Sequence, residues 1–136
     1  MKEFFIPEKS TNRLPFANEY CEFTPVGWIE TEIGLVPLGF KVVTRDLCSL
    51  GLRNNPTPMK FPVGVWVFEE RNLQYDNSDS GGIWTALRQG SIKTLKNHCE
   101  ETWGMETRGF LTAIYNPVFS NSYRIKSQGV MLLKEI

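Results

Sequence analysis

The apolar positions of the chain change their spacing several times, and each change marks an element. "GWIETEIGLVPLGFKVVT" alternates apolar and polar residues on either side of Gly34. That is the period of a half-buried strand, so a hairpin is predicted from Trp28 to Thr44 with Gly34 at or near its turn. In "TRDLCSLGL" Thr44 can cap and Gly51 can end one short helical turn. "KFPVGVWVFE" reads as a strand whose Pro62 and Gly64 put its start at an edge or a bulge. The polar "ERNLQYDNSDSGG" is a loop, and "GIWTA" is a short strand. From Ser91 to Trp103 the spacing becomes helical. Ile92, Leu95, Cys99 and Trp103 fall on one face, Ser91 is a suitable N-cap, and Gly104 is a suitable residue just beyond the end. "METRGFLTAIYNPV" is a strand ended by Asn116 and Pro117, and "NSYRIKSQGVMLLKEI" supplies one or two more. Residues 1 to about 27 scatter Phe4, Phe5, Phe16, Tyr20 and Phe23 without a steady period.

This order of elements predicts an α+β fold: a mainly antiparallel sheet covered on one face by one main helix at about 91–103. A doubly wound parallel sheet would need several crossover helices, and the pattern holds one helix. At 136 residues the chain is expected to form a single domain, with residues 1–27 an irregular N-terminal arm packed on the core.

Composition narrows the class. Hydrophobic residues make up 41% of the chain and charged residues 22%, which fits a globular protein and neither a disordered nor a membrane one. No apolar run approaches the roughly 20 residues of a membrane span. "MKEFFIPEKSTNR" is too polar, and too broken by Pro7, for a signal peptide, so a cytoplasmic location is expected. Cys21, Cys48 and Cys99 are widely spaced and odd in number, giving no disulfide framework and no CxxC metal pair. Basic and acidic residues balance at fifteen each, so neither nucleic acid nor a membrane surface is an expected partner. The balance is uneven, with a net −3 over residues 1–40 and +3 over residues 41–136.

Catalytic signatures are nearly absent. No phosphate loop, GxGxxG fingerprint, GxSxG elbow or HExxH helix occurs. The single histidine, His98, sits beside Cys99 on the helix, where sequence neighbours do not face each other. Its expected role is a surface hydrogen bond to Glu101. A zinc site of His98, Cys21 and Cys48 has no ligand spacing behind it. "DNSDSGG" (Asp76 to Gly82) has the alternating side chains of a calcium loop but lacks the required glutamate, so a solvated loop is expected. Glu101 and Glu106 are expected to pair with Arg108 and Lys96 rather than act as acid and base. No catalytic residues, metal ligands or cofactor are therefore assigned.

What remains is a set of polar and aromatic groups near strand ends. Arg53, Asn54, Asn55 and Lys60 lie in a loop stiffened by Pro56, Pro58 and Pro62, Trp84 and Thr85 lie in the next strand, and Asn121, Tyr123, Arg124 and Lys126 fall near the end of the chain. Arginine suits phosphate or carboxylate, and Trp and Tyr offer faces for a base. Arg53, Asn54, Lys60, Trp84, Tyr123 and Arg124 are the expected ligand-binding residues.

"GFKVVTRDLCSLG", "MKFPVGVWVFEE", "GGIWTALRQGSIKTL", "FLTAIYNPVF" and "SYRIKSQGVMLLKEI" occur in an order that resembles small bacterial and phage proteins of unknown function. The likeness covers about residues 39–136 and implies no activity. More distantly, strand, loop, "GIWT" and helix resemble the ADP-ribosyltransferase fold. That fold expects Arg or His on the first core strand, an aromatic or Ser-Thr-Ser element, and a late catalytic Glu. Here Lys41, "IWT" and Glu135 stand at those places. The first expectation is thus a non-catalytic binding or interaction module for an anionic or nucleotide-like ligand. The alternatives are a nucleotide-handling enzyme of ADP-ribosyltransferase kind, with Glu106 or Glu135 as its acid, and a phage or host accessory protein that acts on a protein partner through its N-terminal aromatics.

Overall fold

The computed structural model describes residues 4–5, 23–50, 59–69, 72–78 and 80–136. The hairpin read from the alternating pattern forms as β2 (Trp28–Thr31) and β3 (Gly34–Thr44), with Trp28 opposite Pro37 and Thr31 opposite Gly34. Gly34 has φ 111°, a backbone open to glycine, and Thr31 Oγ1 donates to its carbonyl at 2.8 Å. On the outer side of β2 lies β1 (Phe4–Phe5), a two-residue strand within the stretch expected to be an irregular arm. Residues 6–22, with Phe16 and Tyr20, lie outside the described residues.

The helical turn expected after β3 is absent from the described part of that segment. The Thr44 hydroxyl accepts from Cys48 N at 3.0 Å, and Leu47, at φ 64°, returns its amide to the Thr44 carbonyl. Local side-chain bonding thus closes a turn in place of a helix. Cys48 then bridges Lys60, and Phe61 N donates to Leu47 O at 2.7 Å. The strand expected in "KFPVGVWVFE" shrinks to β4 (Val67–Phe68), because Pro62 to Val65 form a turn through Gly64 at φ 80°.

The chain continues as β5 (Ile83–Ala86), α1 (Gln89–Trp103), β6 (Thr107–Ser120) and β7 (Arg124–Glu135). The helix starts two residues before Ser91, with Arg88 at the N-cap and no side-chain cap bond. Its C-terminal glycine was legible: Gly104 adopts the left-handed conformation and donates to Glu100 O. Ile92 and Cys99 are buried as expected, whereas Trp103 is 52% exposed, past the covered face, with its ring edge-on to His98. Asn116 and Pro117 do not end β6. Asn116 takes φ 49°, its Nδ2 donates to Gln128 Oε1, and a register shift between Pro117 and Phe119 absorbs the proline.

The seven strands of the described residues belong to one antiparallel sheet, with α1 packed on β3, β5 and β6, so the fold is α+β. The pairings also return on themselves. β3 pairs with β6, β6 with β7, β7 with β5, and β5 with β3 at Phe40 opposite Ala86. Four strands therefore close a ring, and the closing seam between β3 and β5 is one residue pair long. Phe40 and Val42 pack against Ile92 of the helix. Val43 points the other way, into a cluster with Phe61, Ile83, Phe110, Val130 and Leu132. Lys41 shares that second face by alternation and lies opposite Phe110 in the β3–β6 ladder.

Candidate functional site

In the β5–β7 ladder Trp84 stands opposite Lys126 and Ala86 opposite Arg124, so these four side chains share one face. Arg124 lies diagonally across from Trp84, and its guanidinium sits 4.1 Å from the indole centroid. Phe119 packs edge-on against the indole, with ring centroids 6.2 Å apart. The Trp84 Nε1 donates to Ser78 O at 3.2 Å.

The turn from β6 to β7 holds Tyr123 and Arg124 in place. Asn121 Oδ1 accepts from Tyr123 N at 2.8 Å and Arg124 N at 2.9 Å, the local bonding for which Asn is favoured in turns. Its Nδ2 donates to Asn77 Oδ1 at 3.0 Å, and Tyr123 O accepts from Leu87 N at 3.0 Å. With its backbone fixed, the Tyr123 ring remains 70% exposed.

"DNSDSGG" is more than a solvated loop. It wraps the ammonium of Lys126, a fully buried side chain. Nζ donates to Gln74 O at 3.1 Å, Asp76 Oδ1 at 3.3 Å, Ser78 Oγ at 3.3 Å and Ser80 O at 2.8 Å. The Ser78 hydroxyl and amide, with Lys126 behind them, hold the Asp76 carboxyl below its ordinary range. Gly82 allows the wrapping, since a Cβ there would collide with the Lys126 stem. The loop resembles a cation site because it surrounds a cation, one supplied by the chain itself.

On the other edge of β5, Lys41 Nζ donates to Trp84 O at 2.8 Å and lies 5.0 Å from the Phe61 centroid. The lysine spans the seam where the β3–β5 ladder stops. Among the described residues it makes no ion pair, and burial pulls its amine down to about 8 from an ordinary 10.5.

Of the expected ligand-binding residues, the fold brings Arg124 onto Trp84 and places Tyr123 on the adjoining turn. Lys60 is exposed and is connected to Trp84 through its neighbour Phe61 and then Lys41. Arg53 and Asn54, with Asn55, lie outside the described residues. The acidic candidates pair differently from expectation. Arg108 grips Glu135 with two bonds, at 2.7 and 3.0 Å, because β6 and β7 bring their ends together. Glu106 meets Arg45 at 3.4 Å. His98 Nδ1 bonds the Thr102 hydroxyl at 3.3 Å, one helical turn on, instead of Glu101. No cluster of three His, Cys, Asp or Glu side chains that would suit a metal occurs among the described residues. Nor is any helix there long and apolar enough to cross a membrane.

Two features were missed in the sequence. One is the Lys41 seam, which depends on a strand pairing that no local pattern reveals. The other is the aromatic group of Trp66, Phe68 and Tyr115 around β4, with centroids 5.8–6.3 Å apart, assembled from segments nearly fifty residues apart. No family model, curated protein or solved structure matches this chain.

Proposed function

We propose that the protein is a small non-catalytic binding module for an anionic ligand with an aromatic ring, of nucleotide type, seated on Trp84, Tyr123 and Arg124. The observation that carries this reading is the Arg124 guanidinium 4.1 Å over the Trp84 ring, one residue after Tyr123, whose ring is exposed on a braced turn. A guanidinium held against a ring has a restricted orientation, and guanidinium is the group that pairs with phosphate or carboxylate in a fixed geometry. Tyr123 adds a face for a base at little ordering cost, because its backbone is already bonded.

The test is calorimetric titration with mono- and dinucleotides and with inorganic pyrophosphate. The parent protein should bind at least one of them. Arg124→Ala and Tyr123→Ala should each weaken binding about tenfold or more, on the scale of a lost charged hydrogen bond or base stack. Both should melt within a few degrees of the parent. Absence of binding by the parent, or variants that bind as well as it does, overturns the reading.

A second reading, a protein-binding module, is favoured by the run Val63, Val65 and Phe68, exposed at 46%, 50% and 39% beside the two-residue edge strand β4.

A further inference from the structure

We propose that Lys41 is a nucleophilic amine, a site at which the protein captures small aldehydes as an imine. The proposal is independent of the ligand seated at Trp84. It begins from how the fold treats this side chain. Lys41 leaves β3 on the face of Val43 and Phe110, next to the one-pair seam with β5, and its stem is half-buried among Phe61 and Phe110. Nζ has one hydrogen-bond acceptor, the Trp84 carbonyl at 2.8 Å, and the face of the Phe61 ring at 5.0 Å.

Among the described residues, Glu69 just past β4 included, no carboxylate pairs with the ammonium. On β6, Arg108 stacks on Phe110 at 5.2 Å and spends its charge on Glu135. Just beyond β3, Arg45 pairs with Glu106. Lys60, next to Phe61, is exposed and adds no negative charge. Beyond the Trp84 ring, Lys126 is paired with Asp76. Desolvation, with one carbonyl and one ring face standing in for the water shell, shifts the balance toward the neutral amine, which is the nucleophile. Burial accordingly brings the amine to about 8.

The arrangement suits imine chemistry atom by atom. The neutral amine donates one N–H to the Trp84 carbonyl and keeps its lone pair for the aldehyde carbon. The C–N bond forms as the C=O π bond breaks, and a proton passes from the amine nitrogen through solvent to the oxygen to give the carbinolamine. A second proton, from solvent, lets that oxygen leave as water as its C–O bond breaks, and the nitrogen lone pair forms a protonated C=N. The protonated imine retains one N–H, the number the Trp84 carbonyl accepts.

The test uses the full chain, with limiting ¹³C-formaldehyde as the aldehyde and cyanoborohydride as the hydride donor that reduces the imine to a methylamine, followed by peptide mass mapping. At pH 7 the neutral fraction of an amine titrating near 8 exceeds that of one at 10.5 by about 300-fold. Partial burial reduces access, so the expected result is label on Lys41 at least tenfold above that on exposed Lys93 and Lys134, with a rate midpoint near pH 8. Lys41→Met should remove this fast reaction and leave labelling of the other lysines unchanged. Label on Lys93 and Lys134 with Lys41 unmodified, or a Lys41 midpoint near 10.5, overturns the proposal.

Discussion

Lys126 on β7 and Lys41 on β3 reach the same tryptophan from two sides. The first brings Nζ to 5.4 Å from the Trp84 ring, and the second donates to the Trp84 carbonyl. Their surroundings differ in the number of oxygens supplied. Lys126 is fully buried yet meets two carbonyls, a hydroxyl and the Asp76 carboxylate. Lys41 is less deeply placed and meets one carbonyl. Burial alone therefore does not decide the role of a lysine. With a filled oxygen shell the ammonium becomes part of the structure, because each partner depends on it. With a single acceptor it remains a charge held at a cost, and the amine gives up its proton more readily.

The largest expected effect removes the better-served lysine. Lys126→Met keeps the length of the side chain but leaves the oxygens of the 74–80 loop facing an apolar group. Losing the bonds from a buried ammonium to two carbonyls and a hydroxyl costs about 1 kcal/mol each, so urea unfolding should show a loss of about 3 kcal/mol, while the half-exposed Asp76 carboxylate turns to water. A loss under about 1 kcal/mol would mean that water takes over the loop oxygens, and the contrast with Lys41 would then fail.

The same substitution at Lys41 should act in the opposite direction and depend on pH. Its folded-state amine titrates near 8 against 10.5 for the unfolded chain. Between those values the unfolded chain holds a proton that the folded chain has released, so stability rises with pH across the window. The full penalty, up to about 3 kcal/mol, is present below pH 8. Lys41→Met removes that penalty and forfeits a hydrogen bond worth about 1 kcal/mol. The variant should thus be about 2 kcal/mol more stable than the parent at pH 7, with the advantage gone by pH 10.5. Comparing the two proteins at each pH cancels the buried Cys99 thiol, which burial pushes up and which is present in both. A difference that stays flat with pH would show that Lys41 is charged throughout.

How much of this was legible follows from the range of each signal. The β2–β3 hairpin and the Gly104 helix end were readable because alternation and a left-handed glycine are local. The helix start was misplaced because Arg88, without a side-chain cap, holds the position that a capping residue would claim. The end of β6 was misplaced because a bulge shared with β7 absorbs Pro117, and a partner strand is invisible in a local window. Trp84, Tyr123 and Arg124 were named from residue type, and the meeting of Trp84 with Arg124 depends on the β5–β7 register. "DNSDSGG" was noticed as cation-like, but the cation lay some fifty residues further along the chain. Lys41 gave no signal of its own: a lysine in an alternating strand normally marks the solvent side, and the ring closure reverses that.

Thr112 extends the comparison to a buried donor with no acceptor at all, and it carries the smallest expected effect. It is fully buried on β6, opposite Gly39 on one side and Leu132 on the other, and its hydroxyl has no hydrogen-bond partner among the described residues. Valine has nearly the same shape, so Thr112→Val removes the unpaired group without opening a cavity, and the branched side chain still suits the strand. The variant should gain about 1 kcal/mol in urea unfolding, the lower end of the cost of burying an unsatisfied polar group. A loss of similar size would place a buried water on the hydroxyl and give Thr112 an acceptor, ending the series of four, one and none. A gain would confirm that the apolar face holding Lys41 offers its polar groups little compensation, the condition on which the neutral amine depends.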